Sequence, residues 1–154
     1  MKSDLAVQVI AALQGKTLVT AESLTGGGIG HTLTGVSGSS AVYKGGIISY
    51  TNEVKNKVLG VPAEILEQHG AVSEPVAKAM AEGARKLLEA DIAVSVTGLA
   101  GPTGDEYGNP VGTVFIGFAD ADKTLVKHCL FEGDREQVRN QTTEFAMKLI
   151  LENL

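Results

Sequence analysis

A serine at a glycine-rich turn and two lysines downstream of it are the residues of this chain best suited to nucleophilic chemistry. Ser23 lies within residues 20–28, where a short β-branched run leads into three consecutive glycines. Hydrolysis of an amide or ester needs a nucleophile, a base that activates it and donors for the oxyanion. A desolvated lysine loses its proton more easily than a solvated one and can be that base. Lys44 and Lys55 are the candidates, and the alternative for each is a solvated surface charge.

Histidine, cysteine and metal chemistry are less well supported. We expect His31, His69 and His128 to be cap or surface residues rather than bases, since their surroundings are a glycine-led helix, a helix end and a strand. Cys129 lies in an apolar run, so a buried thiol in a reducing compartment is expected. No pair of histidines or cysteines has metal-ligand spacing. We therefore expect neither a metal nor a cofactor.

The local pattern around the serine predicts a strand, a tight turn and a helix. Residues 17–20 are short and β-branched, as in a buried strand, and glycines 26–28 let the backbone turn without Cβ clashes. A helix over residues 25–33 would point its first amides back at Ser23, which suits an anion or an oxyanion. The alternative is an ordinary strand-to-helix turn built from small residues.

The two lysines are expected on different elements. Asn52 is predicted to cap a short helix that carries Lys55 in its first turn, where the positive end of the helix dipole disfavours the charged ammonium. Lys44 lies in a strand predicted over residues 42–50, four residues after Ser40, and could form a rival serine–lysine pair. The residues alone leave the choice between these lysines open.

A third group with chemical potential opens the last helix. Asp134 and Gln137 have the spacing of a capping box. Arg135 and Arg139 are four residues apart, so they share a helix face beside the free amides and could clamp an anion. The alternative is that both arginines are solvated on an amphipathic helix.

The remaining patterns alternate helices with apolar strands. Residues 92–97 are typical of a central strand covered on both faces, and a short polar segment between the last two strands predicts a hairpin. We expect one three-layer α/β/α domain over residues 1–154, with a mixed, mostly parallel sheet. The loop over residues 98–110 is long enough to suggest a functional role. Further predicted features are a first helix with Leu5, Val9, Ile10 and Leu13 on one face, an irregularity at Gly45-Gly46, a loop at 34–40, a helix at 63–68, a long helix capped by Ser73, and strands at 111–119 and 124–131.

Charge and hydropathy exclude several classes of partner. The formal net charge is −5, with acidic and basic residues interleaved, so there is no basic face for nucleic acid and no polybasic tail for a membrane. No run approaches the roughly 20 apolar residues of a membrane span. We expect a cytoplasmic protein. Any anionic substrate must be held by a local concentration of donors.

Short motifs occur along the whole chain and can be compared with those of known families. They are Thr-Ala-Glu-Ser at 20–23, Thr-Gly-Gly at 25–27, Gly-Ser-Ser at 38–40, Gly-Gly at 45–46, Ser-Tyr-Thr-Asn-Glu-Val-Lys at 49–55, His-Gly-Ala-Val-Ser-Glu at 69–74, Thr-Gly-Leu-Ala-Gly-Pro at 97–102, Pro-Val-Gly-Thr-Val at 110–114 and Gly-Asp-Arg at 133–135. These motifs resemble those of the CinA carboxy-terminal domain family, in the same order. We expect the free-standing form of this domain, which the family also contains as the rear half of a longer protein.

The resemblance implies an amidase of pyridine nucleotide salvage, which hydrolyses nicotinamide mononucleotide to nicotinate mononucleotide and ammonia. It implies Ser23 as the nucleophile, Lys55 rather than Lys44 as the base, and Tyr50 as a residue that relays or orients a proton. The expected partner is a small nucleotide, and a homo-oligomer is compatible with this. A catalytically silent nucleotide- or protein-binding member, or an amidase or esterase of other substrates, are the alternatives. The expected substrate-binding residues are Glu22, Thr25, Gly26, Gly27, Ser39, Asn52, Thr97, Gly98, Thr113, Arg135 and Arg139.

Overall fold

A computed structural model describes all residues, Met1–Leu154. A five-stranded sheet forms the middle layer, with strand order β2-β1-β3-β4-β5. The strands are β1 (Leu18–Glu22), β2 (Tyr43–Ile48), β3 (Ile92–Gly98), β4 (Thr113–Ala119) and β5 (Thr124–Leu130). The helices are α1 (Lys2–Ala12), α2 (Gly28–Thr34), α3 (Asn52–Lys57), α4 (Ala63–His69), α5 (Glu74–Leu87) and α6 (Arg135–Glu152), with a short 3₁₀ turn at Ser39–Ala41.

The sheet is mixed, as the sequence predicted. β1 pairs in parallel with β2 and β3, whereas β4 is antiparallel to both β3 and β5. Four of the five strands therefore point the same way, and β4 alone is reversed. The carboxyl ends of β1, β2 and β3 lie at one edge, which is the usual place for a site in an α/β sheet.

Two apolar cores lie on opposite faces of the sheet and make the three layers. One core joins α1, α2 and α6 to the sheet and contains residues such as Leu13, Leu33, Phe118 and Met147. The other joins the α3–α5 region to the sheet through residues such as Val61 and Met80. Because β3 is covered on both faces, it is almost continuously buried. No helix combines the length and the hydropathy needed to span a bilayer.

The predicted irregularity in the second strand is confirmed. The register of β1 against β2 shifts between Leu18 and Val19, opposite Tyr43 and Gly45. A Cβ atom at Gly46 would collide with the hydroxyls of Thr20 and Tyr43. Glycine is therefore required at position 46 because neighbouring side chains approach its backbone closely, just after the bulge.

Several predicted boundaries and caps differ from the structure. Thr51, not Asn52, caps α3, since its hydroxyl accepts a hydrogen bond from the Val54 N–H and Asn52 is already helical. Ser73 occupies the cap position of α5, but its hydroxyl donates to the Gly70 carbonyl. The capping box of Asp134 and Gln137 is confirmed. The strand predicted over 17–20 extends to residue 22, the strand over 42–50 ends at 48, the helix over 25–33 begins at 28, and the predicted loop at 34–40 runs into the 3₁₀ turn.

Candidate active site

Ser23 and Lys55 are in direct contact although they lie on different elements. The Lys55 Nζ lies 3.0 Å from the Ser23 Oγ. The same nitrogen donates to the Ser49 carbonyl at 2.8 Å and to the Tyr50 carbonyl at 3.1 Å. Only 1% of Lys55 is exposed, and burial lowers the pKa of its ammonium from 10.5 to about 8. The lysine therefore loses its proton far more readily than a surface lysine does.

The three contacts of Lys55 suit a group that changes protonation state. A carbonyl oxygen can only accept, so two N–H bonds of Lys55 are directed to Ser49 and Tyr50. The third tetrahedral position faces Ser23. In the ammonium form this position holds a proton donated to Oγ, and in the neutral amine it holds a lone pair that can accept the hydroxyl proton. The site therefore accommodates both forms without moving the backbone.

The backbone around Ser23 is held by neighbouring strands. Ser23 follows the last residue of β1, and its N–H donates to the Val96 carbonyl on β3. The chain then turns through Gly26 and Gly27, with φ values of 59° and 98° that disfavour residues with a Cβ. The N–H of Leu24, the residue after Ser23, makes no hydrogen bond within the protein. This leaves an unpaired backbone donor on the residue that directly follows the serine.

The amino end of α2 does not serve the serine, contrary to the prediction. The N–H groups of Ile29 and Gly30 donate to the carboxylate of Glu22, at 2.8 and 3.0 Å. Since Glu22 is only 2% exposed, it lies beneath the turn and does not line the cavity around Ser23. The Thr25 hydroxyl also donates to Glu22 and is buried. Both residues, predicted to bind substrate, instead hold the turn.

The dyad opens into a cavity of about 320 Å³. Thr97 and Gly98, at the carboxyl end of β3 and predicted to bind substrate, form part of its lining. A wall that the sequence reasoning missed comes from Ala71 and Val72, between α4 and α5. The volume lies at the small end of the roughly 300–1,000 Å³ usual for ligand sites.

The loop over residues 98–110 supplies the other wall, through Leu99, Ala100, Gly101, Thr103 and Gly104. Its composition indicated a functional loop but not which residues face inward. Which residues face inward depends on contacts that the loop makes with residues distant in sequence. Side-chain bonds from the far end of the loop, Asn109 Nδ2 to the Val72 carbonyl at 3.2 Å and Tyr107 hydroxyl to the Glu67 carbonyl at 2.8 Å, fold it over α4.

Arg135 and Tyr50 form the rim of the cavity. Arg135 donates from Nη1 to the Gly101 carbonyl at 2.6 Å and from Nη2 to the Tyr50 hydroxyl at 3.2 Å. Tyr50 is 60% exposed, and it contacts Lys55 through its backbone carbonyl rather than its hydroxyl. The structure therefore does not place the Tyr50 hydroxyl between the lysine and a leaving group, as the relay role would require.

Arg139 does not join Arg135 in an anion clamp. Its Nε donates to the Leu24 carbonyl at 2.9 Å and its Nη2 to the Thr25 carbonyl at 3.3 Å. Four residues advance a helix by about 6 Å, so Arg139 lies one turn further along α6, against the serine turn. The shared helix face was predicted correctly, but the two side chains reach different targets.

Other predicted residues lie away from the cavity. Ser39 precedes the amino end of β2, whereas Ser23 follows the carboxyl end of β1. Asn52 is exposed, and the Thr113 hydroxyl is buried against the Pro110 carbonyl. Lys44, the rival base, is exposed and donates to the carbonyl of Glu89 at 3.3 Å. No three His, Cys, Asp or Glu side chains are grouped as metal ligands.

Comparisons with known proteins agree on one family. A family model described as the CinA C-terminal domain matches residues 2–154. A CinA-like protein of Sulfurihydrogenibium is 50% identical over 88% of this chain, which corresponds to 34% of that relative. The chain thus spans about a third of the length of several curated relatives.

Two relatives match over nearly their whole length. Nicotinamide-nucleotide amidohydrolase PncC of Escherichia coli K12 is 46% identical over 96% of this chain and 91% of its own. A crystal structure of a competence damage-inducible protein A from Klebsiella pneumoniae superimposes with a TM-score of 0.96 at 38% identity, covering 99% of this chain and 96% of that chain. The fold and the length of the domain are therefore shared with these proteins.

Proposed function

Because this chain belongs to the CinA C-terminal domain family, we propose that it is an amidohydrolase that converts nicotinamide mononucleotide to nicotinate mononucleotide and ammonia. The observation that carries the proposal is the contact between a buried, readily deprotonated Lys55 and the hydroxyl of Ser23. This is the arrangement in which a lysine activates a serine nucleophile. The relative named as a nicotinamide-nucleotide amidohydrolase supplies the substrate class.

In the first chemical step, Ser23 Oγ attacks the carboxamide carbon while neutral Lys55 accepts the hydroxyl proton. The carbonyl oxygen becomes an oxyanion, for which the unpaired Leu24 N–H is the nearest backbone donor in sequence. The C–N bond then breaks, and the Lys55 ammonium returns its proton to the nitrogen, which leaves as ammonia. The product of this step is a nicotinoyl ester on Ser23.

The second step hydrolyses this ester. Neutral Lys55 accepts a proton from water, whose oxygen attacks the ester carbon, and then returns the proton to Ser23 Oγ as the ester bond breaks. Nicotinate mononucleotide leaves with its new carboxylate. The two carbonyls that bind Lys55 keep its nitrogen beside Oγ in both steps.

The substrate phosphate belongs at the rim, beside Arg135. This guanidinium lies at the cavity mouth in an acidic protein, so it is the local donor that an anionic substrate needs. The small residues and Leu99 of the loop offer an apolar wall for the pyridine ring. Arg139 is assigned no phosphate contact, because it does not line the cavity and its Nε and Nη2 bind carbonyls of the serine turn.

Ammonia release from nicotinamide mononucleotide tests the proposal. The unmutated protein should release ammonia, Ser23→Ala and Lys55→Met should each lose most of the rate, and the double variant should lose little more, since the two residues act as one unit. Lys44→Met is the matched control, because it removes an exposed lysine from the other end of β2. Binding of the mononucleotide without ammonia release would refute the amidase and favour a silent nucleotide-binding protein.

A further inference from the structure

The carboxylate of Glu22 is buried next to the nucleophile but takes no part in the chemistry proposed above. Its Oε1 accepts hydrogen bonds from the Thr25 hydroxyl at 2.7 Å and the Ile29 N–H at 2.8 Å. Its Oε2 accepts from the Thr20 hydroxyl and the Gly30 N–H, both at 3.0 Å. A buried charge is tolerated only when it is paired or fully hydrogen-bonded, and here four donors surround it.

No cation balances this carboxylate. The one salt bridge of the protein joins Lys57 and Glu53 on the exposed face of α3. The compensating groups are instead two hydroxyls and two backbone amides at the positive end of α2. The hydroxyls can rotate to accept as well as donate, but a backbone N–H can only donate. Each carboxylate oxygen of Glu22 therefore faces one donor that cannot adapt.

This arrangement discriminates against glutamine at position 22. A glutamine side chain has nearly the same shape but carries one acceptor oxygen and one NH₂ donor. Whichever way its amide is turned, the NH₂ opposes the N–H of Ile29 or of Gly30. The result is two buried donors facing each other, which forces α2 or the turn to shift.

Glu22 is also connected to both members of the dyad. It directly precedes Ser23, and through Thr25 it holds the far side of the serine turn. Its backbone carbonyl accepts from the N–H of Ser49, the residue whose own carbonyl binds Lys55. A shift of Glu22 would thus move the nucleophile relative to its base.

We propose that Glu22 is a positioning residue: its carboxylate ties the start of α2 to the end of β1 and thereby holds the Ser23 hydroxyl against Lys55. This inference rests on the proposed function only for the assignment of Ser23 as the nucleophile. Glu22 does not contact the cavity, so it should affect the speed of attack by Ser23 and not the affinity for the substrate.

The test uses a probe that needs no nucleotide recognition. In the reaction with an alkyl fluorophosphonate, an Oγ–P bond forms, the P–F bond breaks, fluoride leaves and the hydroxyl proton passes to Lys55. Mass spectrometry gives both the labelling rate of Ser23 and the final labelled fraction. The proteins are the unmutated chain, Glu22→Gln and, as control, Thr142→Val, which removes a buried hydroxyl bonded to the Val138 carbonyl on α6.

We expect Glu22→Gln to be labelled roughly ten- to a hundredfold more slowly, since small displacements of a reacting group have effects of this order. It should still reach the same final fraction as the unmutated protein, and Thr142→Val should keep the normal rate. With nicotinamide mononucleotide, Glu22→Gln should lower kcat and leave KM unchanged.

An unchanged labelling rate in Glu22→Gln would overturn the inference. So would a reduced final fraction that is labelled at the normal rate, because that pattern indicates partial unfolding only. If Glu22→Gln does not fold, Thr25→Val carries the test, since it removes one hydroxyl contact to Glu22 and keeps the side-chain shape; an unchanged rate there overturns the inference as well. Absence of label on Ser23 in the unmutated protein would instead overturn the proposed nucleophile.

Discussion

Activity should depend on the deprotonation of Lys55 and therefore rise with pH through about 8. Burial lowers the pKa of this lysine from 10.5 to about 8, which leaves about 9% of it neutral at pH 7. A lysine that kept the value of 10.5 would be only about 0.03% neutral at the same pH. The buried position thus raises the fraction of competent base about 300-fold at neutral pH.

The assay is kcat/KM for ammonia release from nicotinamide mononucleotide, because this ratio reports the ionisations of the free enzyme and free substrate. Between about pH 7 and the plateau, kcat/KM should increase about tenfold and level off above about pH 9. A phosphate monoester has a second pKa of about 6, so the fit uses data above about pH 7.

Two variants test whether the rise of kcat/KM with pH comes from deprotonation of Lys55. Lys44→Met should reproduce the profile, since Lys44 is exposed and bonded only to the Glu89 carbonyl. Lys55→Arg keeps a cation with several donors but cannot deprotonate in this range, so it should be inactive at every pH. A kcat/KM that is flat from about pH 7 to about pH 9, or that still rises beyond about pH 10, would refute the assignment of Lys55 as base.

Stability should also depend on this lysine, because between about pH 8 and 10.5 Lys55 is protonated in the unfolded chain but neutral in the folded protein. The free energy of unfolding should therefore rise with pH across this range by up to about 3 kcal/mol. Below about pH 8 the folded protein carries the full cost of burying the Lys55 ammonium. Urea unfolding at two pH values in that window, with and without Lys55→Met, measures this increment, and equal increments in both proteins would contradict it. Arg135→Ala should raise KM for the mononucleotide about ten- to a hundredfold and spare nicotinamide riboside, the loss expected for one charge-assisted bond. Arg139→Ala should slow both substrates alike, and a selective loss of the mononucleotide would return the phosphate site to Arg139. Gly83→Ala, within α5, should destabilise the folded protein by about 1–3 kcal/mol, because the new Cβ would collide with the Leu59 carbonyl. In a helix without such a contact, the same change usually stabilises by about 1 kcal/mol. A higher melting temperature for this variant would contradict the prediction.

The residues that share an element could be predicted from the sequence. A nearly continuous apolar run over residues 92–97 marked the buried strand β3, and the spacing of Asp134 and Gln137 marked the start of α6. Both signals depend on contacts between residues that are close in sequence, so the local sequence is enough to predict them. The turn at Ser23 is of the same kind, because Gly26 and Gly27 supply the positive φ values that it needs.

The motifs in their order also identified the family, and with it the expectation of an amide hydrolase. The residues alone did not choose between Lys44 and Lys55, since both are single lysines next to β-rich segments. That choice depends on where the segments lie in three dimensions. Lys44 sits toward the amino end of β2, whereas Lys55 follows its carboxyl end, where it reaches across to Ser23.

The destinations of the charged side chains were decided by the tertiary structure. Arg135 and Arg139 share one face of α6, but α6 crosses the sheet so that the first reaches the cavity rim and the second reaches the serine turn. Glu22 binds the amides of α2 that the sequence had predicted to point at Ser23. Periodicity states which face of an element a residue occupies, but the partner on that face comes from elements far away in sequence. A hydrogen bond across more than a hundred residues, such as Arg139 to Leu24, leaves no trace in local spacing, because only the packing of α6 on the sheet brings its two ends together.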